Sequence, residues 1–147
     1  MKFAKLVLAA ATAALVSMGT PVAAEESSYT EGTVWNVADI NVADGQFENY
    51  MDWLATQWKK MNELGKKEGY IMSYHVLQNT NPRNGEPNLF LVIEYKDFMS
   101  TAQRKDAQKK VEALLASDTR KEDTAFGERK TMRTVMGSTE LQELKLK

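Results

Sequence analysis

The sequence predicts an α+β domain in which two helices cover one side of a four-stranded antiparallel sheet. Three observations carry that expectation. Residues 70–95 read as two apolar strands, Tyr70 to Leu77 and Leu89 to Tyr95, joined by a turn-rich link that holds Pro82, Gly85 and Pro87. An amphipathic helical pattern precedes this hairpin, and a second, more charged one follows it. A further strand pattern stands at either end of the set, one near Val34 and one near Leu144.

The N-terminal residues set the cellular context. Lys2 and Lys5 give a basic start, Leu6 to Val16 an apolar run, and Val22-Ala23-Ala24 a small-residue close, the three-part pattern of a secretory signal peptide over residues 1–24. The apolar run is well short of the roughly 20 residues that span a bilayer. Export, most simply to a bacterial periplasm, is therefore expected, with no stable membrane association after cleavage. Of the 19 Lys and Arg the leader takes Lys2 and Lys5, while all 20 Asp and Glu remain, so the rest carries 17 − 20 = −3. A mildly acidic surface argues against a nucleic-acid partner. Cysteine is absent, which excludes disulfides and thiolate metal sites. Stability must come from a packed core, within one chain or completed by a second subunit. Residues 25–32 are polar without apolar periodicity and read as a flexible leader; residues 33–147 read as a single domain.

In order, Thr33 to Val42 is rich in β-branched residues and ends at Ala43-Asp44-Gly45, a strand followed by a turn. Asp44 is placed to cap the next helix. That helix carries Phe47, Tyr50, Met51, Leu54, Trp58, Met61 and Leu64 at steps of one, three and four, which is the strongest periodic signal in the chain. Gly69 is a natural stop. Apolar residues on both parities of Leu89 to Ile93 predict a central strand covered on both faces. Asp97 is expected to cap a second helix with Phe98, Ala102, Ala107, Val111, Leu114 and Leu115 on its apolar side. Charged residues from Asp118 to Lys130 continue as helix, broken near Gly127 and ended at Gly137, before a last strand from Ser138 to Lys147. Leu141 stands on the parity opposite to Leu144 and Leu146, which requires a bulge or a covering partner.

Strand, helix, strand, strand, helix, strand with right-handed crossovers is the ferredoxin-like βαββαβ arrangement, helices on one face. The other face is then bare, and since its strands do not read as polar on one parity, a second copy of the chain is the expected cover. Trp58-Lys59-Lys60, Gly69 to Leu77, Val92 to Lys96 and Met136-Gly137-Ser138-Thr139 resemble stretches of uncharacterised exported bacterial proteins related to the dimeric α+β barrel superfamily. The resemblance implies a homodimer. It also implies a range of activities, from cofactor-independent monooxygenases and haem-binding or haem-degrading enzymes to proteins without a known reaction. None of those enzymes' site motifs is present.

His75, the only histidine, is the first candidate for a general base or a haem ligand. Strand histidines are more often satisfied by a backbone carbonyl or water. Glu94 interrupts an apolar strand and, if buried, must be paired, hydrogen-bonded or protonated. Ser73, His75 and Glu94 would form a polar floor if they share a face, and Trp35, Tyr74 and Trp58 would supply apolar walls around a small molecule. One histidine and no cysteine leave a closed zinc site without ligands. Two functions follow as expectations. The first is an exported homodimer that binds a small apolar or aromatic molecule without catalysis and without a cofactor. The alternative is a cofactor-independent monooxygenase or a haem-handling enzyme that uses His75 and Glu94.

Overall fold

The computed structural model describes residues 26–147; the signal-peptide expectation lies outside the described residues. Strand β1 (Tyr29–Val42) is followed by a long helix made of α1 (Phe47–Trp53), a π-helical turn (Leu54–Trp58) and α2 (Lys59–Lys67). The chain continues through β2 (Ile71–Gln78), β3 (Leu89–Tyr95), α3 (Thr101–Leu115), α4 (Thr119–Glu128), a 3₁₀ turn (Arg129–Thr131) and β4 (Arg133–Leu146). The strands lie in the order β2-β3-β1-β4, and every neighbouring pair is antiparallel. This is the expected arrangement, with β1 and β3 central.

The core forms where the long helix crosses the sheet. Tyr50, Leu54 and Trp58 recur every four residues and pack on Ile40, Val42, Leu89 and Leu91. Gly65 continues that stripe because the chain returns tightly into β2: a Cβ there would come within 2.4 Å of the Ile71 side chain. The helix then ends at Gly69, whose positive φ of 81° suits glycine.

Several boundaries differ from the sequence expectation, each for a local reason. β1 begins at Tyr29, inside the stretch read as a loose leader, because β4 pairs with it out to Leu146. Asp44 does not cap the first helix. Gly45 turns the chain with φ 74°, and the N-cap falls on Gln46, without a side-chain cap bond. Asp97 does not cap α3 either, since its Oδ1 accepts from the adjacent Phe98 N–H. The cap is Ser100, in a reciprocal box with Gln103, and Phe98 stays exposed outside the helix. Gly137 does not end a helix but lies in β4 opposite Asp39, because the long β1 offers a template as far as Arg133.

Three irregularities set which side chains share a face. Gly32 and Thr33 bulge opposite Glu143, Met136 bulges from β4, and Met72 bulges from β2. The first lies in β1, so β4 alternates regularly past it, and Leu141 faces the helix-free side with Trp35 while Leu144 faces the other. Asn88 pins the long link: its side chain accepts from Val42 N–H at 2.8 Å and donates to Val42 C=O at 3.0 Å, acting as a strand partner for the end of β1.

Candidate functional site

The register decides the placement of the sequence candidates. Ser73 lies opposite Glu94, His75 opposite Val92, and Trp35 opposite Glu94, so these four candidates share the sheet face away from the helices. The Glu94 carboxylate is satisfied there, accepting from Ser73 Oγ at 2.6 Å and from Thr33 Oγ1 at 2.9 Å. Thr33 also meets Glu143, donating its backbone N–H at 3.2 Å, and this bond holds the Glu143 carboxyl below the usual carboxylate range. The single hydroxyl proton of Thr33 can serve only one of the two carboxylates at a time. His75 is exposed and makes no side-chain hydrogen bond among the described residues.

Tyr74 and Trp58 are not on that face. They meet edge to face, 5.3 Å between ring centroids, on the helix side. The Tyr74 hydroxyl donates to Glu63, and this bond, more than burial, pushes its pKa up to about 12. The expected chamber with all six residues around it therefore does not form. Alternation along β2 sends Ser73 and Tyr74 to opposite sides of the sheet.

The helix side holds a cavity instead. A space of about 400 Å³ opens between the sheet, the long helix and α3. It exists because α3 buries no residue completely and stands off from the sheet, and among the described residues its side-chain bond to the long-helix region is the one from Lys110 to Glu68, just after α2. That bond, with one to Asp106, pushes the Lys110 ammonium pKa upward. Val34, Ile71, Ile93, Trp58, Met61 and Val111 supply apolar walls.

A few polar groups interrupt them. Asn62 is 3% exposed, and its Nδ2 donates to Trp58 C=O at 2.8 Å. Its Oδ1 carries no hydrogen bond among the described residues and is left as an acceptor at the wall. Tyr95 and Tyr70 also line the space, and burial pushes both phenol pKa values up, so each keeps its O–H as a donor at neutral pH. Asn36 and Glu140 complete the sheet side. Arg104 is committed locally, donating to Met99 C=O at 2.8 Å and to Thr101 Oγ1. A mostly apolar hollow with a few fixed donors and acceptors suits a small, largely apolar molecule bearing one or two polar groups.

Of the six sequence candidates only Trp58 lines this cavity. Asn62 was missed, although the signal was present: it is the one polar residue at the next four-residue step after Tyr50, Leu54 and Trp58. Among the described residues no group of three or more His, Cys, Asp or Glu is placed to hold a metal ion, and no helix is long and apolar enough to cross a membrane.

Strand order, antiparallel pairing and one-sided helices define an α+β domain of the ferredoxin-like class. Solved structures with a similar course include a dimeric ferredoxin-like protein from an uncultured marine organism, with TM-score 0.49 and 12% identity, covering 80% of this chain and 90% of that one. A dimeric ferredoxin-like protein of unknown function from Thermobifida fusca has TM-score 0.42 and 12% identity, covering 82% and 98%. MupZ from Pseudomonas fluorescens has TM-score 0.44 and 11% identity, covering 74% and 70%. No protein-family model and no curated protein matches the chain. At these identities and scores the likenesses carry no argument about ligand or assembly; the fold rests on the strand order and pairing above.

Proposed function

We propose that this chain is an exported, homodimeric binding protein that holds a small apolar or aromatic molecule between its sheet and α3. The observation that carries the binding reading is the cavity of about 400 Å³ with the buried Asn62 in its wall. A volume of that size lies within the range of small-molecule sites. His75 and Glu94 stand on the opposite side of the sheet, so a molecule in this cavity meets neither. The geometry therefore favours binding over the oxygenase or haem reading, which relied on those two residues.

Homodimerisation is supported by the other sheet face. Trp35, Val37, Phe90 and Val92 lie side by side across its two central strands by register, and the half-exposed Leu77 and Leu141 flank them on the edge strands. An apolar centre with the Ser73–Glu94–Thr33 network at one end has the composition of an interface: apolar core, polar rim. Export is inferred from residues 1–24.

The binding reading is tested by thermal shift against a library of small aromatic and alicyclic compounds. A ligand at about 100 times its Kd stabilises by about 2.7 kcal/mol, a rise of several degrees. Ala107→Trp, which extends a ring from α3 into the space, should keep the unliganded midpoint within a few degrees and abolish the ligand-induced rise. A rise of equal size in Ala107→Trp would place the ligand elsewhere.

A further inference from the structure

A second hollow lies on the helix side and shares only the Met61 side chain with the cavity between the sheet and α3. A space of about 260 Å³ opens between the long helix, the end of α3 and α4. Trp53 and Met61 face it from the long helix, and the π-helical turn falls between them. Leu115 closes it from α3. The chain leaves α3 through Ala116, left-handed at φ 49°, and α4 starts at Thr119 under the Asp118 cap. Glu122, Ala125 and Arg129, at steps of three and four, then turn one helical face toward the same space.

The walls are mostly apolar, yet two opposite charges stand among them without meeting. Neither Glu122 nor Arg129 belongs to an ion pair among the described residues. Glu122 Oε1 and Arg129 Nε are each sealed from water and have no hydrogen-bond partner among the described residues. A buried carboxylate oxygen needs a donor and a buried N–H an acceptor, and leaving either unmade is costly. The Arg129 guanidinium lies over the Trp53 ring, 4.4 Å from its centroid, and 5.8 Å from that of Phe126. Contact with a ring engages the cation's charge and leaves its N–H groups free to bond. Arg133, 4% exposed, stands nearby and is likewise outside any ion pair among the described residues. Burial, then the Arg133 charge, hold the Arg129 guanidinium below its ordinary pKa despite the carboxylates of Glu122 and Glu128.

We propose that this hollow binds a small zwitterion, an α-amino acid with an apolar side chain, its carboxylate on Arg129, its ammonium on Glu122 and its side chain among Trp53, Met61 and Leu115. The site is separate from the cavity between the sheet and α3 and does not depend on that reading. Charge selects the class of ligand. A simple carboxylic acid would answer Arg129 and leave the Glu122 charge unpaired, and a simple amine would do the reverse. An α-amino acid brings both: an ammonium with three donors for the carboxylate and a carboxylate for the guanidinium edge. Size agrees, because the space is just below the roughly 300–1,000 Å³ of drug-sized sites and suits a smaller molecule. Since the two unpartnered atoms are sealed from water, a wall must move to admit the ligand, and the unbranched, flexible Met61 side chain is suited to that.

The three tryptophans report three regions: Trp53 this hollow, Trp58 the larger cavity and Trp35 the opposite sheet face. Their indole N–H signals are followed by NMR as the chain of residues 26–147 is titrated with L-leucine and with three analogues of the same branched body, 4-methylpentanoate, 3-methylbutylamine and 4-methylpentanamide. Leucine should give its largest shift at Trp53, with a Kd at least tenfold below that of each analogue. Glu122→Gln, close in shape to the native residue, should weaken leucine to the level of 4-methylpentanoate, and Arg129→Met should weaken it to the level of 3-methylbutylamine. No shift at Trp53, leucine binding undiminished in either variant, or an amide that binds as tightly as leucine overturns the zwitterion site. A largest shift at Trp58 also overturns it and moves the ligand to the larger cavity.

Discussion

Trp35→Asp is expected to convert the protein from dimer to monomer at micromolar concentration, raising the dimer Kd by about 30- to 1,000-fold. Trp35 sits on the central strand β1 and on the helix-free face, opposite Glu94 on one side and Leu141 on the other. A tryptophan near the centre of an interface, flanked by apolar neighbours, has the hot-spot profile, worth about 2–4 kcal/mol on truncation, and each 1.4 kcal/mol is about tenfold in Kd. Aspartate adds a charge close to the Glu94 carboxylate, which is already shared with Ser73 and Thr33. Trp35→Phe keeps the apolar area and should keep the dimer. Sedimentation velocity over a dilution series reads both variants; an unchanged Kd in Trp35→Asp would remove this face from the interface.

Tyr50→Ala is expected to cost about 3–5 kcal/mol of folding stability, a large part of the roughly 5–15 kcal/mol available to a domain. Tyr50 is 1% exposed and stacks on Trp53, 5.7 Å between centroids and 8° from parallel. Its hydroxyl is a neighbour of Arg133, a 4% exposed residue whose guanidinium lies 4.7 Å from the Phe126 ring centroid. Burial pushes the Tyr50 pKa up, against the opposing pull of Arg133, so the hydroxyl is neutral beside that charge. Truncation would leave a hole at the centre of the helix stripe and strip a neighbour from a buried cation, both among the core changes with large cost. Tyr50→Phe separates them, with an expected loss of about 1 kcal/mol. Urea denaturation at fixed protein concentration measures both, since a dimer's midpoint shifts with dilution. A loss below about 1 kcal/mol in Tyr50→Ala would contradict this account of the core.

The elements were legible because their periods are strong. The Tyr50, Leu54, Trp58 stripe and the β-branched runs of β1 and β3 name their own partners, and right-handed crossovers leave few topologies. Faces were less legible because parity survives only where pairing is regular. Bulges at Gly32, Met72 and Met136 each shift the count by one, and only the first carries a residue, glycine, that hints at a bulge. Strand length was hidden too: Tyr29 to Gly32 and Arg133 to Gly137 look polar or helical alone and become strand only because each finds the other's strand alongside.

The site was the least legible part. His75 and Glu94 drew notice by chemical type, yet the hairpin register puts both on the face that favours a partner over a ligand. The cavity arises from an absence, the failure of α3 to bury any residue, which its even spread of charge from Arg104 to Glu112 foreshadows only in part. Asn62 could have been found by asking why a four-residue apolar stripe admits one amide.

In the proposed assembly the sheet has two different neighbours, a ligand-holding helix layer on one side and an identical chain on the other. Sedimentation equilibrium on residues 26–147 at micromolar concentration tests this most directly. Twice the single-chain mass, falling to one chain in Trp35→Asp, is the predicted result. A single-chain mass for the unaltered protein would leave Trp35, Phe90 and the half-exposed Leu141 facing water and would contradict it.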